Sequence, residues 1–152
     1  MKEKDPDMYK ARVAMFILGS SGFGSRLMEE IRVKKGLAYS TYARVNIAKT
    51  SSYFSGHLQT KIESQDDAKK TVEEVIQTFV EKGVTQSELD QARKFMLGSE
   101  PLRVETLSQR LARTFSEFYS GKPLGSSLDD LEAIRHLTLS ELNQFIKKSS
   151  RN

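Results

Sequence analysis

Cysteine is absent from the 152-residue sequence, and histidine occurs only twice. Without cysteine the chain has no disulfide bond, no thiolate metal site and no thiol nucleophile, and its compartment stays undetermined. Apolar runs are short as well, because no segment approaches the roughly 20 residues that a membrane-spanning helix needs. We therefore expect a protein that folds in water and has no membrane partner.

The two histidines do not form a metal-binding motif. Neither His57 nor His136 begins an H-x-x-E-H sequence or its inverse, in which two histidines and a carboxylate serve a zinc site. An ordinary strand position for His57 and a helix end for His136 account for both residues. No G-x-S-x-G turn accompanies them, so a serine triad has no support either. The sequence predicts no metal and no cofactor bound by this chain.

Charged residues of both signs are plentiful but evenly spread. The 24 basic and 20 acidic residues give a net charge of +4 and are scattered along the sequence. A nucleic-acid-binding domain more often gathers its Lys and Arg residues on one face, so this distribution argues against a nucleic-acid partner. The length is that of one ordinary domain, and we expect residues 1–152 to form a single domain.

Apolar periodicity divides the chain into helices and strands. The spacing of apolar residues predicts helices over 8–18 and 25–35, and β-rich sequence predicts two antiparallel strands over 37–46 and 52–62. From residue 64 onward the pattern is helical. This order predicts an α+β fold in which helices pack on one face of an antiparallel sheet. Two strands make a marginal sheet, so we expect flanking strands outside these residues, in a longer protein of which this chain is a fragment.

Two helix starts are marked by capping-box spacing. Thr85 and Thr138 are each followed three residues later by a glutamate, the arrangement in which each residue of the pair caps the backbone of the other.

A helix between these two helix starts carries an aromatic cluster, which we expect to belong to the core: Phe115, Phe118 and Tyr119.

The most informative stretch runs from Gly22 to Ser40. It contains a glycine-rich turn, a short helix that ends in arginine, a lysine–glycine turn and a tyrosine that enters a strand: Ser25-Arg26-Leu27, Arg32, Lys35-Gly36 and Leu37-Ala38-Tyr39-Ser40. In motif, spacing and element order this stretch resembles the C-terminal half of the zinc endopeptidases of the pitrilysin and mitochondrial processing peptidase family. The resemblance extends along most of the chain, through Gly83 to Leu124.

This resemblance implies a function for two residues. In the family an arginine and a tyrosine seven residues apart reach from the C-terminal half into the active site, and Arg32 and Tyr39 have that spacing. The zinc belongs to a separate N-terminal half that carries an inverted His-x-x-Glu-His motif. The resemblance therefore implies a substrate-binding domain for peptides or unfolded proteins, which is not expected to hydrolyse them alone.

The chemistry of the two side chains suits that role. A guanidinium is a rigid multiple donor for substrate carbonyls, and a phenol can donate to a carbonyl oxygen that becomes an oxyanion. Without the resemblance, Arg32 would be interpreted as complementing a helix C-terminus and Tyr39 as an ordinary strand aromatic. Arg26 is expected to make a local structural contact. Four further residues are weaker candidates to which no role is assigned: Tyr42, Arg44, Tyr53 and His57.

Two alternative functions remain open. The family includes assemblies in which one chain supplies zinc and another supplies the Arg and Tyr, so this domain could belong to a non-catalytic partner subunit. The loop from Gly19 to Gly22 lies between two short helices, which is the arrangement in which a KH module clamps RNA. Its central residues are serines rather than basic residues, and the long helical region that follows exceeds such a module.

Overall fold

Helices precede and follow a single β-hairpin in the residues that the computed structural model describes, which are 5–22, 24–47 and 52–149. The first helix, α1, continues into a π-helical turn, and a second π-helical segment precedes the hairpin: α1 is Met8–Met15, and the π-helical pieces are Phe16–Ser20 and Met28–Lys34. The strands are β1 (Ser40–Ile47) and β2 (Ser52–Gln59). The remaining helices are α2 (Gln65–Lys82), α3 (Gln86–Gly98), α4 (Leu107–Tyr119), α5 (Ser126–His136) and α6 (Leu139–Ser149), with 3₁₀ turns at Ile62–Ser64 and Pro101–Arg103.

The hairpin packs on the helices through β1. The strands pair antiparallel, from Ser40 opposite Gln59 to Ile47 opposite Ser52. Thr41 and Ala43 on the inner face of β1 are buried. β1 contacts α1 and both π-helical segments, whereas β2 lies farther out and has no buried residue. The predicted α+β class, with helices on one face of an antiparallel sheet, is confirmed.

The helix that starts at Met8 continues past Met15 through Gly19 to Ser20, one residue beyond the expected end at Gly19. Gly19 lies directly against β1. A Cβ atom added there would stand 2.5 Å from the backbone nitrogen of Ala43 and 2.8 Å from its Cβ. These separations are below van der Waals contact, so glycine allows the helix and the strand to approach closely. The Gly19–Gly22 loop therefore has a packing role at its first residue, and the KH-like hypothesis gains no support from it.

Gly19→Ala is expected to lower the free energy of unfolding by about 1–3 kcal/mol, because backbone atoms of β1 would have to move. Urea unfolding measures the change. Gly98→Ala is a matched control, since an added Cβ at that helix terminus meets no atom within 4 Å. A Gly19→Ala protein as stable as the Gly98→Ala protein would contradict the close approach.

Capping boxes open three of the helices. Thr85 and Glu88 cap α3 reciprocally, as the sequence predicted. Thr138 and Glu141 do the same for α6, where the Thr138 nitrogen lies 2.9 Å from Glu141 Oε2 and the Glu141 nitrogen lies 3.3 Å from Thr138 Oγ1. A third box, in which Thr106 is the first residue of the pair, opens α4 and was not predicted. Its acceptor is a glutamine, which serves the motif as well as glutamate does.

Helix α4 is oriented opposite to expectation. Of its 13 residues only Glu117 is buried. The predicted core aromatics are exposed, with exposed fractions of 67% for Phe115, 75% for Phe118 and 65% for Tyr119. The prediction was wrong because a polar contact turns the helix: Glu117 accepts hydrogen bonds from the backbone nitrogens of Gly125 at 2.8 Å and Ser127 at 2.9 Å.

The carboxylate of Glu117 thereby caps the N-terminus of α5. Burial opposes ionisation and would raise its pKa, but hydrogen bonds from Ser127 and Gly125 outweigh burial and hold the pKa of Glu117 below its usual value. A helix N-terminus also favours negative charge. One buried acid thus joins α4 to α5.

Glu117→Gln is expected to lower the free energy of unfolding by about 1–2 kcal/mol at neutral pH, since a neutral cap replaces a charge-assisted one. Because the folded-state pKa is lowered, the contribution of the carboxylate is present above the ordinary glutamate pKa and is lost as the pH falls through the lowered value. The two proteins should therefore converge in stability in acid. A difference that stays constant with pH would contradict this assignment.

Candidate functional site

Arg32 and Tyr39 lie on either side of a tight turn. Arg32 is in the last turn of the Met28–Lys34 segment, and its carbonyl accepts a hydrogen bond from the Gly36 nitrogen at 3.1 Å. Gly36 has a positive φ of 62°, a conformation that glycine adopts without strain. The Tyr39 nitrogen donates to the Gln59 carbonyl at 2.8 Å, next to the first residue of β1. The backbone on both sides of the turn is therefore fixed by hydrogen bonds.

Both side chains face solvent. Arg32 is exposed, and Tyr39 has an exposed fraction of 58%. Neither side chain contributes to the core, so the fold does not require an arginine or a tyrosine at these positions for packing. Both donors lie on the exposed surface beside a turn whose backbone is held by hydrogen bonds, where a bound chain can reach them.

The segment that carries Arg32 is held in position by Arg26. The Arg26 guanidinium forms a two-pronged contact with Glu88, with Nε 2.5 Å from Oε1 and Nη2 2.7 Å from Oε2. Nη2 also donates to the Gly83 carbonyl at 2.8 Å, and the guanidinium lies 5.3 Å from the centre of the Phe79 ring. The expected structural contact exists, but it reaches a residue 62 positions away rather than a local one. Arg26 therefore ties the Arg32 segment to the junction of α2 and α3.

The four weaker candidates share one surface, which we call the hairpin outer face. Tyr42, Arg44, His57 and Tyr53 alternate with the buried residues of β1 and their partners on β2. Tyr42 stacks on His57 with ring centroids 5.6 Å apart. Arg44 Nε lies 3.4 Å from Ser55 Oγ. The hairpin outer face thus presents aromatic rings and hydrogen-bonding groups side by side.

An apolar groove lies on the opposite side of the hairpin. It encloses about 600 Å³ between the strands and the helices α1, α2 and α6. Its walls include Leu18, Ala43, Phe54, Val72 and Phe79. Because Phe54 is 65% exposed, the inner face of β2 is only partly covered by the helices. The groove suits apolar side chains and offers few groups that could direct chemistry.

The fold and these contacts can now be compared with known proteins. The sequence model of the peptidase M16 inactive domain matches residues 1–96. The chain belongs to this family. The family predicted from the Gly22–Ser40 stretch is thereby confirmed.

This M16 domain spans about a third of the length of the three similar proteins that follow. A Helicobacter pylori protein named non-peptidase homolog YmxG is 50% identical over 147 residues, which are 97% of this chain and 34% of that protein. A Bacillus subtilis protein named uncharacterized zinc protease YmxG is 28% identical over 130 residues, covering 84% of this chain and 32% of that protein. The crystal structure of a peptidase M16 inactive domain from Pseudomonas fluorescens matches with a TM-score of 0.87 and 28% identity, covering 97% of this chain and 35% of that chain.

The zinc that the M16 family implies does not fit the residues of this domain. Among residues 5–22, 24–47 and 52–149, no group of three or more His, Asp or Glu side chains could hold a metal ion. His57 stacks on Tyr42, and His136 Nε2 lies 2.9 Å from Glu132 Oε1 on the exposed surface of α5. No helix in the same residues is long and apolar enough to cross a membrane.

Proposed function

We propose that this M16 domain is the substrate-binding half of a zinc endopeptidase, and that Arg32 and Tyr39 are its site residues. The observation that carries the proposal is the exposed donor pair on the hydrogen-bonded Gly36 turn of a domain that belongs to this family. The pair has the spacing at which the family places its arginine and tyrosine. The zinc would be supplied by an N-terminal half or by a partner subunit.

Each donor has a distinct task in this proposal. The Arg32 guanidinium holds carbonyl oxygens of the bound peptide, because its fixed donors can contact more than one acceptor. The Tyr39 phenol donates to the oxygen of the scissile carbonyl as negative charge develops there. A zinc ion held by the other half would supply the activated water. Neither side chain has to accept a proton.

The substrate class follows from the surface beside the pair. Backbone hydrogen bonding along a strand edge binds extended chains with little dependence on their sequence. In the residues that the structure describes, β1 and β2 pair only with each other, so each has an outer edge at which either a flanking strand of the longer protein or a bound peptide can pair. Such a surface accepts an extended peptide or an unfolded protein rather than a folded one.

A second version of the proposal places this domain in a non-catalytic subunit. The 50% identical Helicobacter pylori relative is named a non-peptidase homolog, which favours an arrangement in which another chain carries the zinc. The roles of Arg32 and Tyr39 are the same in both versions. The two differ only in whether the zinc-binding half is covalently attached.

Photo-cross-linking tests where the substrate binds. A benzophenone amino acid replaces Tyr39 in the complex of this domain with the zinc-binding M16 polypeptide, and an unstructured peptide is added under light. Efficient capture of the peptide at position 39 is expected. The same probe at Leu128, which is 56% exposed on α5, is the control. Capture at Leu128 but not at position 39 would refute the assigned site.

A further inference from the structure

Lys35 joins the end of the Arg32 segment to helix α2. Its Nζ donates a hydrogen bond to Thr71 Oγ1 at 3.0 Å and lies 3.6 Å from Glu74 Oε2. Both partners belong to α2, which is a different element from the segment that carries Arg32. We infer that Lys35 is a positioning residue, which fixes the Gly36 turn and thereby the placement of the donor pair on either side of it.

Thr71 offers this contact a fixed acceptor. Its side chain is buried in the face of α2 that packs on the core. The Thr71 hydroxyl donates its own proton to the Asp67 carbonyl at 2.8 Å, so its oxygen is left to accept a hydrogen bond. An ammonium group carries donors only, and a hydrogen bond from a charged donor is stronger than one between neutral groups. The contact of Lys35 with Thr71 therefore has a defined direction.

The segment needs an anchor at this end because its last residues leave the core. Ile31 is fully buried, but the five residues that follow it, 32–36, are all exposed. Burial therefore holds the middle of the segment and does not hold the turn. The segment is also π-helical, a rare geometry that is frequent at functional sites. Lys35 supplies a contact to α2 where apolar packing supplies none.

Arg26 and Lys35 anchor the two ends of the segment at different levels of α2. Arg26 lies against the Phe79 ring near the C-terminus of α2, whereas Lys35 contacts Thr71 nearer to the N-terminus. The two levels are about 12 Å apart, at 1.5 Å for each residue of an α-helix. The segment therefore runs antiparallel to α2. Two separated anchors limit its rotation, which a single anchor at its start would not do.

Lys34 provides a matched comparison on the same turn. Its Nζ lies 2.5 Å from Glu30 Oε1, and both residues belong to the Arg32 segment. The two lysines are similarly exposed, with exposed side-chain fractions of 56% for Lys34 and 44% for Lys35. Replacing either one removes one positive charge and one contact with a glutamate. Only the replacement of Lys35 also removes a link to another element.

Amide hydrogen exchange of the 152-residue chain tests the anchor itself. Lys35→Met keeps most of the side-chain length and removes the ammonium group. We expect the hydrogen-bonded amides of Gly36 and Leu37 to exchange about fivefold faster, the effect of losing one typical hydrogen bond, while amides of α5 keep their rates. Lys34→Met should leave all of these rates unchanged. Unaltered exchange at the turn, or an equal increase at every amide, would overturn the inference.

The inference rests on the proposed function, and the kinetics of the assembled peptidase separate the two. A turn that is no longer fixed misplaces both donors, so we expect Lys35→Met to raise KM and to lower kcat, with kcat/KM reduced by on the order of tenfold. A domain that is merely destabilised would lower the active fraction and leave KM unchanged. Lys34→Met should cleave as the unchanged protein does.

An Arg32→Ala background distinguishes positioning from a separate contact of Lys35 with substrate. In that background Lys35→Met should have no further effect on KM, since the guanidinium that it positions is absent. An equal effect on KM in both backgrounds would overturn the inference. Normal kinetics of Lys35→Met in a peptidase that Tyr39→Phe impairs would also overturn it, and the proposed function would stand. Normal kinetics of both Arg32→Ala and Tyr39→Phe would remove the proposed function, and the inference with it.

Discussion

Tyr39→Phe is expected to lower the cleavage rate of the assembled peptidase by on the order of a hundredfold, since one hydrogen-bond donor to the oxyanion is lost. The phenol oxygen is the only group removed, and Tyr39 is 58% exposed, so folding should be unaffected. The affinity for peptide should change little, because the donor acts mainly on the charge that develops in the transition state. Steady-state cleavage of a fluorogenic peptide separates kcat from KM.

The matched control for this prediction is Tyr53→Phe. Tyr53 lies on the hairpin that follows Tyr39 and is 59% exposed. The substitution therefore removes an equivalent hydroxyl from a neighbouring surface. Its turnover should equal that of the unchanged protein. Equal turnover in Tyr39→Phe would remove the role proposed for that phenol.

Arg32→Ala should differ from both tyrosine variants by raising KM, because the guanidinium holds the substrate before the reaction as well as during it.

Arg26→Ala is expected to lower the free energy of unfolding by about 3 kcal/mol, because it leaves the partly buried Glu88 without its charged partner. The change also removes the hydrogen bond to the Gly83 carbonyl and the contact with the Phe79 ring. Urea unfolding measures the loss. Arg12→Ala is the control, since Arg12 is 49% exposed and its nearest contact with Asp130 is 3.4 Å. It should cost less than about 1 kcal/mol.

The pH dependence identifies the Arg26–Glu88 pair as the cause. Burial would raise the pKa of Glu88, but the Arg26 guanidinium and the Thr85 backbone outweigh burial and lower it. The stability that this carboxylate contributes is therefore present above the ordinary glutamate pKa and is lost as the pH falls through the lowered value. Arg26→Ala should reduce this acid dependence. A loss of stability with an unaltered pH profile would mean that packing on Phe79, not the ion pair, is the source.

Local signals in the sequence predicted much of the backbone structure around the candidate site. The Gly36 turn, the helix before it and the strand after it follow from spacing within about 20 residues, as do the capping boxes at Thr85 and Thr138. The partner of Arg26 could not be predicted in this way. Glu88 was recognised as a cap for α3, but its contact with Arg26 joins residues 62 positions apart and depends on how α2 and α3 pack. One glutamate serves both purposes.

The error at α4 has a different physical origin. The sequence correctly placed Phe115, Phe118 and Tyr119 together on one helix. It did not indicate what covers these side chains, because an apolar stripe is the same whether it faces a core or a partner. The deciding residue was Glu117, whose cap on α5 turns the polar side inward. The only local signal of that contact was an acidic residue, Glu117, four positions before Gly121.

Reconstitution of peptide cleavage from separate polypeptides tests the central claim most directly. The zinc-binding M16 polypeptide is assayed alone, with this domain, and with the domain carrying both Arg32→Ala and Tyr39→Phe. We expect cleavage only with the unchanged domain, with the double variant still bound in the complex but inactive. If the zinc-binding polypeptide cleaves as fast alone or with the double variant, this domain does not supply the substrate-binding site, and the proposed function is wrong.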